Sequence, residues 1–151
     1  MEKSYHKSPI GILEIISKND ELISLKLVNN IGEINIETDF IKDVKRQLDE
    51  YFLGKRKVFD IKINPKGTDF QKLVWKVIQK TPYGKTESYS QTAIEIGNKN
   101  AQRAIGSACN KNPIMIIIPC HRVISKNGNI GGYAYGNSVK QKLLKLETGL
   151  K

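Results

Sequence analysis

The chain has 151 residues, enough to bury one sizeable core or two small ones, and its balance of 39% hydrophobic to 26% charged residues excludes a disordered polymer. The longest apolar run, Ile114–Ile118, is far too short to cross a bilayer, and the polar opening MEKSYHKS is expected to carry no secretory leader. The net charge of +10 is unevenly placed: residues 1–65 carry 11 basic and 11 acidic side chains, and residues 66–151 carry 14 basic against 4 acidic. Such a lobe attracts a polyanion, and nucleic acid fits it better than a membrane surface.

Residues 9–28 read as two β-rich segments joined by Asn19-Asp20, the pattern of a hairpin. Ile34–Glu37 is either a short third strand or the lead into a helix. Asp39 is the expected cap of a helix over Phe40–Phe52, in which Phe40, Val44, Leu48, Tyr51 and Phe52 recur at helical spacing before Gly54. The segment KRKVFDIKI is predicted as another strand. His6 lies outside any chemical pattern.

Asn64-Pro65-Lys66-Gly67 marks a linker, which divides the chain into domains 1–65 and 66–151. Thr68 and Gln71 have capping-box spacing ahead of a helix carrying Phe70, Val74, Val77 and Ile78 on one face, with Trp75 beside it as packing. After Thr81-Pro82-Tyr83-Gly84, Ser90 is the expected cap for Gln91–Ile96. Gly97 ends that helix, and Asn98 or Asn100 starts another through Ala108. Two short helices around a tight turn have the form of a helix-turn-helix. In the second, Ala101, Ala104, Ile105 and Ala108 share a face, Arg103 lies between them, and Gly106 is a poor choice for helix propensity alone. Close approach to DNA or to another helix explains these small residues equally.

Asn112-Pro113 ends the helix, and Ile114–Ile118 is expected as an apolar strand leading into Pro119-Cys120-His121-Arg122. A glycine-rich loop with Tyr133 and Tyr135 follows. A last helix, with capping-box spacing at Ser138 and Gln141, carries Val139, Leu143, Leu144 and Leu146, and Glu147 near its end.

Cys120 is the candidate nucleophile, with a histidine beside it and an arginine that favours its anion. Adjacent side chains of a strand point to opposite faces, so Cys120 and His121 cooperate only if the chain turns there. His121 is the base, and its orienting carboxylate comes from Asp69, Glu87, Glu95 or Glu147, of which Glu147 is preferred. Cys109, by contrast, reads as a buried structural cysteine. The two cysteines stand eleven apart with no CxxC, which points to free thiols in a reducing, cytoplasmic setting. Two Cys and two His at 6, 109, 120 and 121 match no closed zinc site, and no P-loop or GxGxxG pattern occurs.

Ile118-Pro119-Cys120-His121-Arg122-Val123-Ile124, with Asn112-Pro113 and Arg103-Ala104-Ile105-Gly106 before it and Gly131-Gly132-Tyr133 and Leu143-Leu144-Lys145-Leu146-Glu147 after it, resembles the O6-alkylguanine-DNA alkyltransferase family. The similarity is strong over 66–149 and extends to 1–65 in layout. It implies an α/β N-terminal lobe of ribonuclease-H-like type, a small sheet plus helix, followed by a mainly helical, winged-helix-like DNA-binding domain that enters the minor groove. The resemblance makes Cys120 the acceptor of the alkyl group and His121 its base through a water. Glu147 orients the histidine, Asn112 braces the turn, Tyr89 assists the leaving guanine, and Lys140 completes the pocket. On the DNA side it implies Arg103, which intrudes where the damaged nucleotide leaves the stack, together with Ala101, Gln102, Ala104, Gly106 and Arg122.

Tyr133, Ala134, Tyr135 and Gly136 would form the substrate pocket. Many relatives place serine and glycine where this chain has Ala134 and Tyr135, so one hydrogen bond to guanine O6 is lost and large alkyl groups should be disfavoured. The thioether product cannot be hydrolysed by a nearby base, so each molecule acts once. The resemblance implies no cofactor, no metal, a monomer, and double-stranded DNA with alkylated guanine as partner, with weaker action on O4-alkylthymine open. Competing readings are a non-catalytic alkylguanine-binding protein, a cysteine hydrolase and a helix-turn-helix regulator. Neither of the two binding readings uses the Cys-His pair.

Overall fold

A computed structural model describes residues 1–125, 127–128 and 130–149, which divide into two units, Met1–Lys66 and Gly67 onward. In the first unit, strands β1 (Glu2–Ser8), β2 (Gly11–Lys18) and β3 (Glu21–Val28) form an antiparallel sheet in sequence order. Asn19 and Asp20, at φ 52° and 57°, make the tight β2–β3 turn that the sequence predicts. β1 escapes sequence reading because EKSYHKS has almost no apolar alternation; its pairing with β2 over the whole length makes it a strand. Helix α1 (Asp39–Phe52) buries Ile41, Val44, Leu48 and Tyr51, and the sheet buries Leu13, Ile15, Leu22 and Leu25. Each such side chain contributes roughly 1.5–3 kcal/mol, so this is the core of the unit.

Two details depart from the sequence reading, and one of its two alternatives for Ile34–Glu37 is decided. Thr38, not Asp39, caps α1, its side chain accepting from Ile41 N. Ile34–Glu37 is a lead-in without strand structure, latched to β1 by Ile36 N donating to Lys3 O at 2.8 Å. KRKVFDIKI forms no strand and meets β3 at one parallel bridge, Leu22 with Ile63, where Leu22 N donates to Lys62 O and Asn64 N donates to Leu22 O, both at 2.8 Å.

In the second unit, α2 (Asp69–Ile78), α3 (Tyr89–Ile96) and α4 (Gln102–Asn110) contact one another. Thr68 and Gln71 close the expected capping box on α2. Its buried face is Val74, Trp75, Val77 and Ile78, and Trp75 donates its indole N–H to Ala108 O at 2.9 Å, pinning α2 to the end of α4. The cap of α3 is Ser88 with Gln91 rather than Ser90, a reciprocal pair contributing about 1 kcal/mol, and it makes Tyr89 the first residue of the helix. Gly97, at φ 91°, ends it. α4 starts at Gln102, later than either asparagine predicts, with Ala101 N donating to Asn98 O across the turn.

Ile114–Ile118 is not a strand. Pro113 lacks a donor, Ile116 adopts φ 72°, and Ile117 N and Ile118 N donate back to Met115 O and Ile114 O. The segment is a tight, buried loop, and a β-branched residue at positive φ stores about 1–3 kcal/mol of strain there. A 3-10 turn, Cys120–Arg122, follows it and feeds the two-residue strand β5 (Val123–Ile124), which pairs in parallel with β4 (Glu87–Ser88). The last helix, α5 (Asn137–Thr148), is capped by Gly136 without a side-chain bond, so the Ser138–Gln141 spacing is not used as a cap.

Candidate functional site

The 3-10 turn supplies the bend that cooperation between Cys120 and His121 requires, and α2 and α5 both contact it. Asn112 fixes the loop that delivers it. Its Oδ1 accepts from Ile114 N at 2.9 Å, and its Nδ2 donates to Ile118 O at 2.8 Å and to Cys120 Sγ at 3.3 Å. One side chain therefore clips both ends of a strained loop and holds the sulfur at its exit.

Behind the sulfur lies a buried charge cluster. His121 Nε2 donates to Glu147 Oε2 at 2.6 Å, and Arg122 grips the same carboxylate through Nε to Oε1 at 2.7 Å and Nη2 to Oε2 at 3.0 Å. Arg122 Nη1 also donates to Thr81 O at 2.8 Å, and its guanidinium lies 5.8 Å from the centre of the Tyr83 ring. Of the four carboxylates in this unit, Glu147 is the one at His121. Glu87 instead sits with Glu95 and accepts from Thr81 Oγ1, while Asp69 opens α2. The carboxylate keeps the imidazole proton on Nε2, so Nδ1 presents a lone pair; it is buried and has no protein hydrogen-bond partner among the described residues.

A cavity of about 420 Å³ opens on the other side of Cys120, lined by Tyr89, Arg103, Gly106, Cys109, Tyr133 and Ala134 among others. Gly131 also lines it at φ 74°, and a Cβ there would stand 3.5 Å from the Tyr89 ring and 3.7 Å from Lys140 Nζ. Lys140 is buried and donates to Val123 O at 2.6 Å and Gly132 O at 3.0 Å, so it ties α5 to the wall of the cavity.

Titration follows from these neighbours. The hydrogen bond to Cys109, and then burial, push the Cys120 thiol well above its ordinary range, against the opposing pull of Asn112 and Lys140. Burial lowers His121, and Glu147 partly offsets this. Cys120 and His121 therefore rest as a neutral thiol and a neutral imidazole. Burial raises Tyr89 to about 12 and lowers Lys140 to about 8. Tyr89 thus keeps its phenolic proton at neutral pH and remains a donor.

The α4 face divides more sharply than its small residues suggest. Ile105, Ala108 and Cys109 are buried, and Ala101 is only 6% exposed, so Ala101 packs inside the unit and offers no surface to DNA. Gln102, Arg103 and Ala104 are exposed, and a Cβ at Gly106 would meet nothing within 4 Å. Arg122, expected on the DNA side, is 7% exposed and committed to Glu147 and Thr81, so it braces the interior. Tyr133 and Ala134 line the cavity, whereas Gly136 caps α5 and Tyr135 packs edge-on against Tyr133 at 5.7 Å between ring centres.

Sequence reading misses Thr81, Tyr83 and Gly84, whose backbone N–H lies 3.5 Å from Glu147 Oε1, because a loop contact across some sixty residues leaves no periodicity. It also misses Cys109 as a cavity residue. Among the described residues, no three His, Cys, Asp or Glu side chains gather as a metal site, and no helix is long and apolar enough to cross a membrane.

Residues 69–149 match the family model for the DNA-binding domain of 6-O-methylguanine DNA methyltransferase, and residues 1–65 match that for its ribonuclease-like domain. The methylated-DNA–protein-cysteine methyltransferase of Methanosarcina barkeri is 46% identical over 93% of both chains, and that of Methanosarcina acetivorans is 47% identical over 93% of this chain and 94% of its own. A crystal structure of the Mycobacterium tuberculosis enzyme in complex with DNA superposes with a TM-score of 0.92, at 37% identity over 99% of this chain and 94% of that one. The expected fold, a small sheet and helix of ribonuclease-like type followed by a helical DNA-binding domain, agrees with all three. With both of its units matched and close relatives spanning nearly its whole length, the chain belongs to the 6-O-methylguanine DNA methyltransferase family.

Proposed function

We propose that this chain repairs alkylated DNA by direct transfer, Cys120 taking a methyl or small alkyl group from guanine O6 in double-stranded DNA, once per molecule. The carrying observation is the placement of Cys120, clipped by Asn112 at the wall of an open cavity, beside a buried His121 held by Glu147. His121 Nδ1 takes the thiol proton through a water, and the sulfur attacks the alkyl carbon. The C–O bond breaks as the C–S bond forms, and Tyr89 donates a hydrogen bond to the departing guanine.

A neutral resting pair suits this chemistry, because the thiolate then forms only when a substrate is in place to consume it. Glu147 neutralises the imidazolium that appears in the transition state. The thioether is stable, so the acceptor is consumed.

The target atom is unreachable inside a duplex, so the nucleotide must leave the stack and enter the cavity. The exposed Arg103, in the first turn of α4, fills the gap it leaves, and Ala104 and Gly106 allow the backbone to come close. Residues 66–151 are the transferase and DNA-binding domain, and 1–65 the supporting α/β domain. The protein acts as a monomer in the cytoplasm, where DNA is at hand. A helix-turn-helix regulator leaves the buried His121–Glu147–Arg122 cluster without a role.

The test is to mix the protein with excess duplex containing one O6-methylguanine and record intact mass and a peptide map. The expected result is one methyl group, on Cys120 and nowhere else. Duplex binding with no mass change under reducing conditions would sink the transfer reading. Tyr135, supporting the Tyr133 wall, narrows the range of alkyl groups; equal rates for methyl and benzyl adducts would contradict this.

A further inference from the structure

The cavity contains a second thiol that alkyl transfer does not use. Cys109, next to last in α4, lines the same cavity as Cys120. Asn112 links the two residues: its N–H donates to Cys109 O at 3.2 Å and its Nδ2 donates to Cys120 Sγ at 3.3 Å. A purely structural cysteine would face apolar packing on all sides; this one lines the cavity that holds Cys120. The Lys140 ammonium is within electrostatic reach of Cys120 and favours its anion.

We propose that Cys109 and Cys120 form a redox-modification site, in which a hydroperoxide closes them into an intramolecular disulfide that low-molecular-weight thiols reopen. The Cys120 thiolate attacks the outer peroxide oxygen; the O–O bond breaks, leaving a sulfenic acid on Cys120 and, with hydrogen peroxide, one water. Cys109 Sγ then attacks Cys120 Sγ. The S–S bond forms as the S–O bond breaks, and a second water leaves with the Cys109 proton, so two thiols and one peroxide become one disulfide and two waters. Reduction by two external thiols returns both cysteines.

Both cysteines bond to Asn112 at the wall of one cavity, one at the end of a helix and one in a turn, and closing the sulfurs to about 2 Å needs side-chain rotation there. The consequence follows from single use. Without a resolving thiol, sulfenic acid proceeds to sulfinic acid, which thiols do not reverse, and a protein with one acceptor is lost without repairing anything. That consequence rests on Cys120 being the alkyl acceptor; the disulfide itself does not.

The experiment treats the full chain with hydrogen peroxide, then reads intact mass, a non-reducing peptide map, and methyl acceptance before and after dithiothreitol. The expected result is the loss of two hydrogens, a crosslinked Cys109–Cys120 peptide, loss of methyl acceptance, and nearly complete recovery. Cys109→Ser and Cys109→Ala, each compared with its own unoxidised rate, should show oxygen added to Cys120 and a severalfold smaller recovered fraction. Peroxide that adds oxygen to Cys120 of the unsubstituted protein without any crosslink overturns the proposal. So does recovery in both variants as complete as in the parent. A crosslink in a protein that accepts no methyl group would leave the redox site standing and refute the acceptor reading instead.

Discussion

The two units treat charge in opposite ways. In Met1–Lys66, basic and acidic side chains balance and meet on the surface: Arg46 with Asp43 and Glu50, Arg56 with Glu50, Lys62 with Glu21. From Gly67 onward bases outnumber acids 13 to 4, and the ion pairs described there converge on one buried carboxylate, Glu147. Surface pairs are screened and contribute roughly 0–1 kcal/mol each. A buried cluster is different, because removing one member strands the others without water. The first unit therefore uses charge for solubility and local helix support. The second buries one carboxylate against His121 and Arg122 and carries an excess of bases that suits DNA.

Glu147→Gln tests this contrast most severely. The neutral amide leaves Arg122 buried without a counter-charge and removes the carboxylate that accepts from His121 Nε2, so about 3–5 kcal/mol of stability should go. Methyl transfer should slow by at least about a hundredfold, measured by single-turnover kinetics at a temperature where the variant is folded. Glu50→Gln in the first unit breaks two surface pairs, and stability should change little, with transfer unaffected. Comparable losses in the two variants would end the distinction.

Arg103→Ala probes the other use of charge. Arg103 is exposed, and its loss should leave thermal stability unchanged within about 0.5 kcal/mol. Reaction with an alkylated duplex should fall about tenfold, and the dependence of binding on salt should flatten by about one unit of slope. A fall in duplex reaction with an unchanged salt slope would mean that the side chain acts by shape alone.

How much of this was legible beforehand follows the same division. Local signals were readable wherever neighbours in sequence decide the structure: the Asn19-Asp20 turn, the Thr68–Gln71 capping box, the glycine stop at Gly97, the amphipathic faces of α1 and α2. The reactive pair was readable because its residue types are rare in this chain. β1 was not, since a polar strand becomes one only through its partner, and neither was the loop at Ile114–Ile118, whose apolar run looks like a strand until Asn112 folds it back. Arg122 shows the sharpest limit. An arginine in a basic lobe reads as a nucleic-acid contact, and only the distant carboxylate of Glu147 and the carbonyl of Thr81 turn it inward.

Glu87 lies between the two patterns and gives the smallest effect. It is half-buried at the start of β4, accepts from Thr81 Oγ1 at 3.2 Å, and shares its surroundings with Glu95. Burial first, then the Glu95 carboxylate, raise it to about 7, above the 4.5 of an ordinary glutamic acid. Between those values the folded protein binds a proton that the unfolded chain releases. The stabilisation is thus fully present below pH 4.5 and is lost as pH rises through 7. Lys140 acts in a higher window with the opposite slope: lowered to about 8 by burial, it releases its proton in the folded state first, so stability recovers as pH rises above 8. Glu87→Gln should remove the decline between pH 5 and 7 and stabilise the protein at pH 7.5 by about 1 kcal/mol, a rise of a few degrees in Tm, while the recovery above pH 8 persists. Unfolding curves at half-unit steps of pH would show it. An unchanged profile would mean that Glu87 does not hold the proton whose release sets the decline.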